Sequence, residues 1–279
     1  MDTGRWLLTS ILLPAAVACA ATTTTWEMDT YQDFLRGRLS GVSLSRDGRL
    51  MLAPRVETLF SSGQPEIWSV AAGPEGMLYL GTGDRGRVYK VDPSGHGSVY
   101  WTSDQPEIFA VALDAKGVLY AGTSPDGKVY RIENGKAAEY FAPKEKYIWA
   151  LAFSRDGALF VGTGERGRIY RVTAPGEGEV YYETGQSHVT CLAIDAQGRL
   201  LAGSEPNGLL YRVSAKDKAF VLYDSSLPEI RTILPQPDGS IYAAALGGSI
   251  AKRTSGLAPA AVQTAPVTAT SSSATVTVT

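Results

Sequence analysis

The chain has 279 residues, 44% of them hydrophobic and 19% charged, with a net charge of −2, which is ordinary globular material for one large core or a row of small ones. Its basic residues are interleaved with acids, as in Lys144-Glu145-Lys146 and Lys216-Asp217-Lys218, and this excludes the concentrated basic stripe of a nucleic-acid surface. With His96 and His188 as its two histidines, it also lacks the ligands for a multi-histidine zinc site.

At the N-terminus, Arg5 precedes an uncharged apolar run from Trp6 to Ala20 that ends in the small residues Ala18-Cys19-Ala20. A charged start, a short apolar run and small residues at its end predict an export signal over residues 1–20. The run is shorter than the roughly 20 residues that span a bilayer. Two fates are open: cleavage to a soluble periplasmic or secreted product, or lipidation of Cys19 and outer-membrane anchoring, since Ala16-Val17-Ala18-Cys19 resembles the bacterial lipoprotein box with alanine where that box usually carries leucine. Cleavage leaves Cys191 without a disulfide partner, so the mature chain must be held by packing. Residues 21–38 form an N-terminal segment.

From residue 39 the chain repeats. The turn glycines Gly76, Gly117, Gly157, Gly198 and Gly239 recur at an even interval, and Tyr89, Tyr130, Tyr170 and Tyr211 keep the same one. A fixed period near 40 with several strands per unit predicts a β-propeller, because one small sheet cannot cover both of its faces and neighbouring blades must do so. Each unit reads as four strands in order. An apolar inner strand comes first ("EIWSVAA", "EIFAVAL", "YIWALAF", "HVTCLAI", "EIRTILP"), then a glycine turn, then a strand ending in small residues ("MLYLGT", "VLYAGT", "ALFVGT", "RLLAGS", "SIYAAA") that let blades approach closely. The third strand carries a Tyr-Arg or Tyr-Lys pair and the fourth is an aromatic edge ("SVYWTS", "AEYFAP", "EVYYET", "FVLYDS"). With no apolar period of 3.6 residues, the fold class is all-β.

The first unit is short, its turn at Gly48 standing well under one period before Gly76, and the last stops after Ser249-Ile250-Ala251-Lys252-Arg253. Residues 39–253 therefore hold about six units with the first and last incomplete, and residues 254–279 read as a Thr/Ala/Ser/Pro-rich tail or linker. Either the two defective units share the ring closure, or the propeller is larger and continues past the tail.

"GTGDRG" at 81–86 satisfies a dinucleotide fingerprint, but it recurs as "GTSPDG", "GTGERG" and "GSEPNG" at 122, 162 and 203. In each case a strand follows where a phosphate site needs a helix N-terminus. The motif is predicted to be the hairpin between second and third strands, with Asp84-Arg85 at its tip and Gly86 closing it.

With these strands placed, the cadence of hydrophobic strand, glycine turn, Leu-Tyr-(Val/Ala)-Gly-Thr and Gly-x-(Val/Ile)-Tyr-Arg resembles bacterial exported propellers with NHL, streptogramin-lyase and gluconolactonase-like repeats, loosely grouped with WD repeats. The resemblance covers roughly residues 39–253. It departs from true WD repeats in lacking the Trp-Asp dipeptide, and from quinoprotein dehydrogenases in lacking their tryptophan-docking glycine motifs. What the resemblance implies is a propeller and, in its lyase and lactonase members, a divalent metal in the central channel held by acids, amides or histidines. No motif of this chain matches those ligands residue by residue.

The starts of the inner strands, Glu66, Glu107, Tyr147, His188 and Glu229, fall at equivalent places and are expected around one mouth of the channel, with Asp84, Asp126, Glu165 and Glu205 of the hairpin tips on the same face. Oxygen ligands such as Glu66, Glu107 and Glu229 suit calcium or magnesium, with His188 as a proton carrier. The competing expectation is that each glutamate is solvated or paired with a neighbour such as Arg85 or Arg166. Trp68, Phe109 and Trp149 recur at one inner-strand position and are expected in the blade core, with Cys191 a small buried hydrophobe nearby. Two functions are carried forward: a non-enzymatic, monomeric binding or scaffold module for a protein, peptide or glycan, without a cofactor, and a metal-dependent hydrolase or lyase acting at the channel mouth.

Overall fold

The computed structural model describes residues 39–247 apart from positions 46 and 55, together with positions 27, 30, 32 and 33. The export signal, Cys19 and the tail at 254–279 lie outside the described residues. The chain divides into two compact units, 1–57 and 58–279.

In the first unit, β1 (Val42–Leu44) pairs antiparallel with β2 (Leu50–Leu52). Their turn is closed by the Gly48 N–H donating to the Ser45 carbonyl at 2.9 Å, with Gly48 at φ +81°, where a side chain is costly.

The second unit consists of five sheets among the described residues. Sheet A is β3 (Ile67–Ala72), β4 (Leu78–Thr82), β5 (Arg87–Val91) and β6 (Gly97–Thr102), and sheet B is β7 (Glu107–Leu113), β8 (Leu119–Ser124), β9 (Val129–Glu133) and β10 (Lys136–Phe141). Sheet C is β11 (Ile148–Phe153), β12 (Leu159–Thr163), β13 (Arg168–Ala174) and β14 (Glu177–Glu183), and sheet D is β15 (His188–Ile194), β16 (Leu200–Glu205), β17 (Leu209–Ala215) and β18 (Lys218–Asp224). Sheet E has β19 (Glu229–Pro235) and β20 (Ile241–Leu246). Each is an antiparallel meander in chain order, so four of the repeat units form with all four expected strands and the last has two described strands, with positions 249–253 outside the described residues. The fold is a β-propeller.

The recurring Gly-Thr at the end of each second strand has a packing cause. A Cβ on Gly122 would meet Ile148 of the next inner strand, and one on Gly81, Gly162 or Gly203 would meet Ile108, Val189 or Ile230. Those four branched residues are fully buried, so the glycines let each sheet be capped by the next. The residue after each glycine clamps its own hairpin: the Thr82, Thr163 and Ser204 hydroxyls donate to the carbonyls of Arg87, Arg168 and Leu209 at 3.0, 3.0 and 3.2 Å. Third-strand tyrosines fill the seam on its outer side, where Tyr170 Oη donates to Glu145 Oε1 at 3.0 Å and Tyr211 Oη to the Thr184 carbonyl at 3.2 Å. Their recurrence is therefore structural, as is that of the tip glycines. Gly86 and Gly167 donate to the carbonyls of Pro106 and Ser187 in the loop entering the next sheet, at 2.7 and 2.9 Å.

The hairpins alternate in kind. Sheets A and C turn through Gly83-Asp84 and Gly164-Glu165 with the acid at φ +67° and +68°, whereas B and D turn through the cis bonds Ser124-Pro125 and Glu205-Pro206.

Candidate functional site

Every inner strand carries one extra residue relative to its partner. The pairing of β3 with β4 skips from Ile67 to Ser69, that of β7 with β8 from Ile108 to Ala110, and the same shift falls at Trp149, Thr190 and Arg231. A bulge re-aims the side chain it inserts. Here Trp68, Phe109, Trp149, Thr190 and Arg231 all line one cavity of about 340 Å³ between the five inner strands, and Cys191 lines it too. Phe109 and Trp149 are buried and form a core cluster with Trp68 and Tyr147 packed against it, as expected of these aromatics, and the bulge in addition sets the three rings on the cavity wall. There they form a contiguous cluster, with Trp68 against Phe109 at 5.2 Å, Phe109 against Trp149 at 4.3 Å, and Tyr147 stacked on Trp149 at 5.0 Å between centroids.

Two of these rings also tie neighbouring sheets together. Trp68 Nε1 donates to Glu107 Oε2 at 2.6 Å, and Trp149 Nε1 donates to His188 Nδ1 at 3.0 Å. Because an indole N–H only donates, Nδ1 must be an unprotonated acceptor, and the neutral His188 carries its proton on Nε2. Burial holds the His188 pKa below 6.5, partly offset by the negative charges of Glu205 and Glu165. Protonation at Nδ1 would set two N–H donors against each other.

The native state therefore takes up a proton at His188 less readily than the unfolded chain. This contribution to stability is complete above the unfolded value of 6.5 and is lost as pH falls through and below it. The urea midpoint is expected to drop between about pH 7 and pH 5, and to drop less in His188→Gln, whose amide oxygen still accepts from Trp149. Identical pH dependence in the two chains would refute this.

The sequence-predicted mouth residues separate into three places. Glu66 and Glu107 come together: a Cβ on Gly83 would lie 3.3 Å from Glu66 Oε2 and 2.7 Å from Glu107 Oε2. Burial first, then repulsion from Glu66 and Asp84, raises the Glu107 pKa, against the hydrogen bonds from Trp68 and the Asp84 backbone. His188 sits with Tyr147, Trp149 and its register partner Glu205. Glu229, fully buried, lies 3.5 Å from the Arg231 guanidinium. Of the tip residues, Asp84 pairs with Arg85 at 3.7 Å and Glu165 with Lys146 at 3.7 Å, while the Asp126 backbone donates to Gln105 at 3.1 Å. Glu205 is buried, 2% exposed, and its Oε2 has no hydrogen-bond partner.

Among the described residues no group of three or more histidine, cysteine, aspartate or glutamate side chains comes together. Arg166 pairs with Glu145 at 3.2 Å and not with a mouth glutamate. Burial pushes the Cys191 thiol up to about 12, which keeps it protonated and unreactive. The residues missed from sequence are Thr190 and Arg231, hidden because they share the tryptophan position without sharing its chemistry.

The sequence matches no family model and no curated protein. Among solved structures, the fold is similar to virginiamycin B lyase from Staphylococcus aureus, with a TM-score of 0.57 and 13% identity over 65% of this chain and 66% of that one. It is likewise similar to regucalcin, a calcium-binding protein from Agrobacterium tumefaciens (TM-score 0.55, 18% identity, 67% of this chain and 70% of that one). A third similar structure is the WD40 propeller domain of Doa1 (0.53, 16%, 64% and 60%). The chain spans just under two thirds of the lyase's length, 66%. At these identities the likeness establishes a shared propeller fold.

Proposed function

We propose that this chain is an exported, monomeric β-propeller that binds a protein, peptide or glycan at its channel, without catalysing a reaction. The observation that carries the reading is the bulged position itself, which presents Trp68, Phe109, Trp149, Thr190 and Arg231 to one cavity. Aromatic faces beside a guanidinium are the groups that hold sugar rings and extended chains by stacking and hydrogen bonding. The test uses the mature protein as bait in an envelope extract and on peptide and glycan arrays, with Trp68→Leu alongside. Retention of a ligand at least about tenfold weaker in Trp68→Leu is expected, since a central anchor is worth about 2 kcal/mol or more. Recovery of nothing, or retention indifferent to Trp68, would count against the reading. Export is tested by the mature N-terminus, expected near residues 19–21, with Cys19→Ser and a lipid analogue separating an anchored from a soluble product.

The second reading, a metal-dependent hydrolase or lyase, is favoured by the pairing of Glu66 and Glu107 beside Gly83, which a divalent cation would relieve. It requires the melting temperature to rise with calcium, magnesium or manganese, and the rise to vanish in Glu107→Gln with Glu229→Gln. An unchanged melting temperature at millimolar metal removes it.

A further inference from the structure

Four aromatic brackets recur across the seams. Phe60 stands 5.6 Å from Tyr89, Trp101 5.1 Å from Tyr130, Phe141 5.5 Å from Tyr170 and Tyr182 6.0 Å from Tyr211, centroid to centroid. In each, the first ring belongs to the chain segment just before an inner strand and the second to the third strand of the sheet that follows. The first rings keep the repeat period from one to the next, and one further period beyond Tyr182 stands Tyr223. Its register confirms the equivalence, for Tyr223 pairs with Leu210 as Tyr182 pairs with Ile169.

Among the described residues this fifth first ring has no second. Tyr223 is 51% exposed, and among the described residues no ring stands against it. The residue one period after Tyr211 is Lys252, so the local sequence does not offer a tyrosine there. Beside Tyr223 lies a groove of about 380 Å³ walled by Leu210, Leu222, Ile241 and Ala243, and lined also by Ser225, in the loop that enters β19. Loops of the same kind receive the tyrosine hydroxyl at Thr184 and Glu145. Arg212 also lines the groove, and its Nε is buried without a hydrogen-bond partner. Among the described residues β20 pairs with β19 alone, and a strand edge is a template for backbone pairing.

We propose that this groove docks an added β-strand of the pattern aliphatic-Tyr-(Arg/Lys)-aliphatic, its backbone on the edge of β20 away from β19 and its tyrosine ring against Tyr223. The four filled brackets define the occupant, because the same wall in every earlier seam holds a tyrosine from just such a strand. Strand addition to that edge supplies the backbone hydrogen bonds, and the alternate side-chain pocket supplies the selectivity.

The experiment titrates the full chain with a fluorescent peptide of the sequence Arg168–Ala174, read by anisotropy and by hydrogen exchange at Ile241–Leu246. Saturable binding is expected, at least tenfold weaker for the peptide with alanine in place of tyrosine and for Tyr223→Ala, with slowed exchange at β20 on binding. Ala243→Trp, which fills the groove, should abolish binding. No saturable binding up to millimolar peptide overturns the proposal, and so does binding indifferent to both tyrosines. Slow β20 exchange before peptide is added also overturns it, sedimentation then assigning the edge to the chain's own residues after 247 if monomeric or to a second copy if dimeric.

Discussion

Gly167→Ala is expected to destabilise the propeller by about 2–4 kcal/mol, the sum of a left-handed backbone strain of about 1 kcal/mol and an overpacking term of about 1–3. The residue has φ +52°, and a Cβ there would fall on the Gln186 carbonyl oxygen and lie 2.6 Å from Thr184 Oγ1. Neither can retreat freely. The Gly167 N–H donates to the Ser187 carbonyl and its carbonyl accepts from the Thr184 N–H, at 2.9 and 3.1 Å, so the glycine is stitched into the loop it would strike. Gly157→Ala is the control: φ is +85° but nothing lies within 4 Å, and about 1 kcal/mol is expected from the backbone alone. Urea unfolding of both variants measures the difference. Equal losses would show that the seam accommodates a methyl group and that its closeness is unimportant.

A comparable loss is expected at Ile148→Ala, about 3–4 kcal/mol for a fully enclosed branched side chain, or about 10 °C in melting temperature for a unit of this size. Ile148 is fully buried, packs with Leu159, Val161 and Tyr170, and abuts Gly122 of the preceding sheet. Its removal opens a cavity in a seam that the backbone cannot close, because both flanking strands are held by their own ladders. Ile67 occupies the same place in β3 but is 44% exposed, and its truncation should cost under about 1 kcal/mol. Should Ile67→Ala prove as damaging as Ile148→Ala, burial would not be the cause.

The parts of the fold that were legible in the sequence are those where one backbone requirement recurs. Gly81, Gly122, Gly162 and Gly203 announce a close approach because only hydrogen fits against the next inner strand, and the tip glycines announce the hairpins. The site was less legible. A strand period of two assigns Trp68 and Trp149 to a face, but one inserted residue per inner strand overrides that assignment, and no residue type marks such an insertion. Repeat symmetry placed Glu66, Glu107 and Glu229 at equivalent backbone positions, yet their environments are set by a different residue in each seam: an indole beside Glu107, a guanidinium beside Glu229. Glu205 stands at a hairpin position that leaves Asp126 and Glu165 exposed nearby in other sheets, and is itself buried.

The alternation of hairpins reaches further than the turns themselves. The seams alternate with them: A to B and C to D are joined by an indole donor, while in B to C the Ser124 hydroxyl donates to the Lys146 carbonyl and in D to E the Thr190 hydroxyl to the Ile230 carbonyl. The hydroxyl donors stand at different places, Ser124 at the end of a second strand and Thr190 at the bulge of an inner strand, so a seam without an indole is closed by whichever polar group its own stretch of sequence supplies.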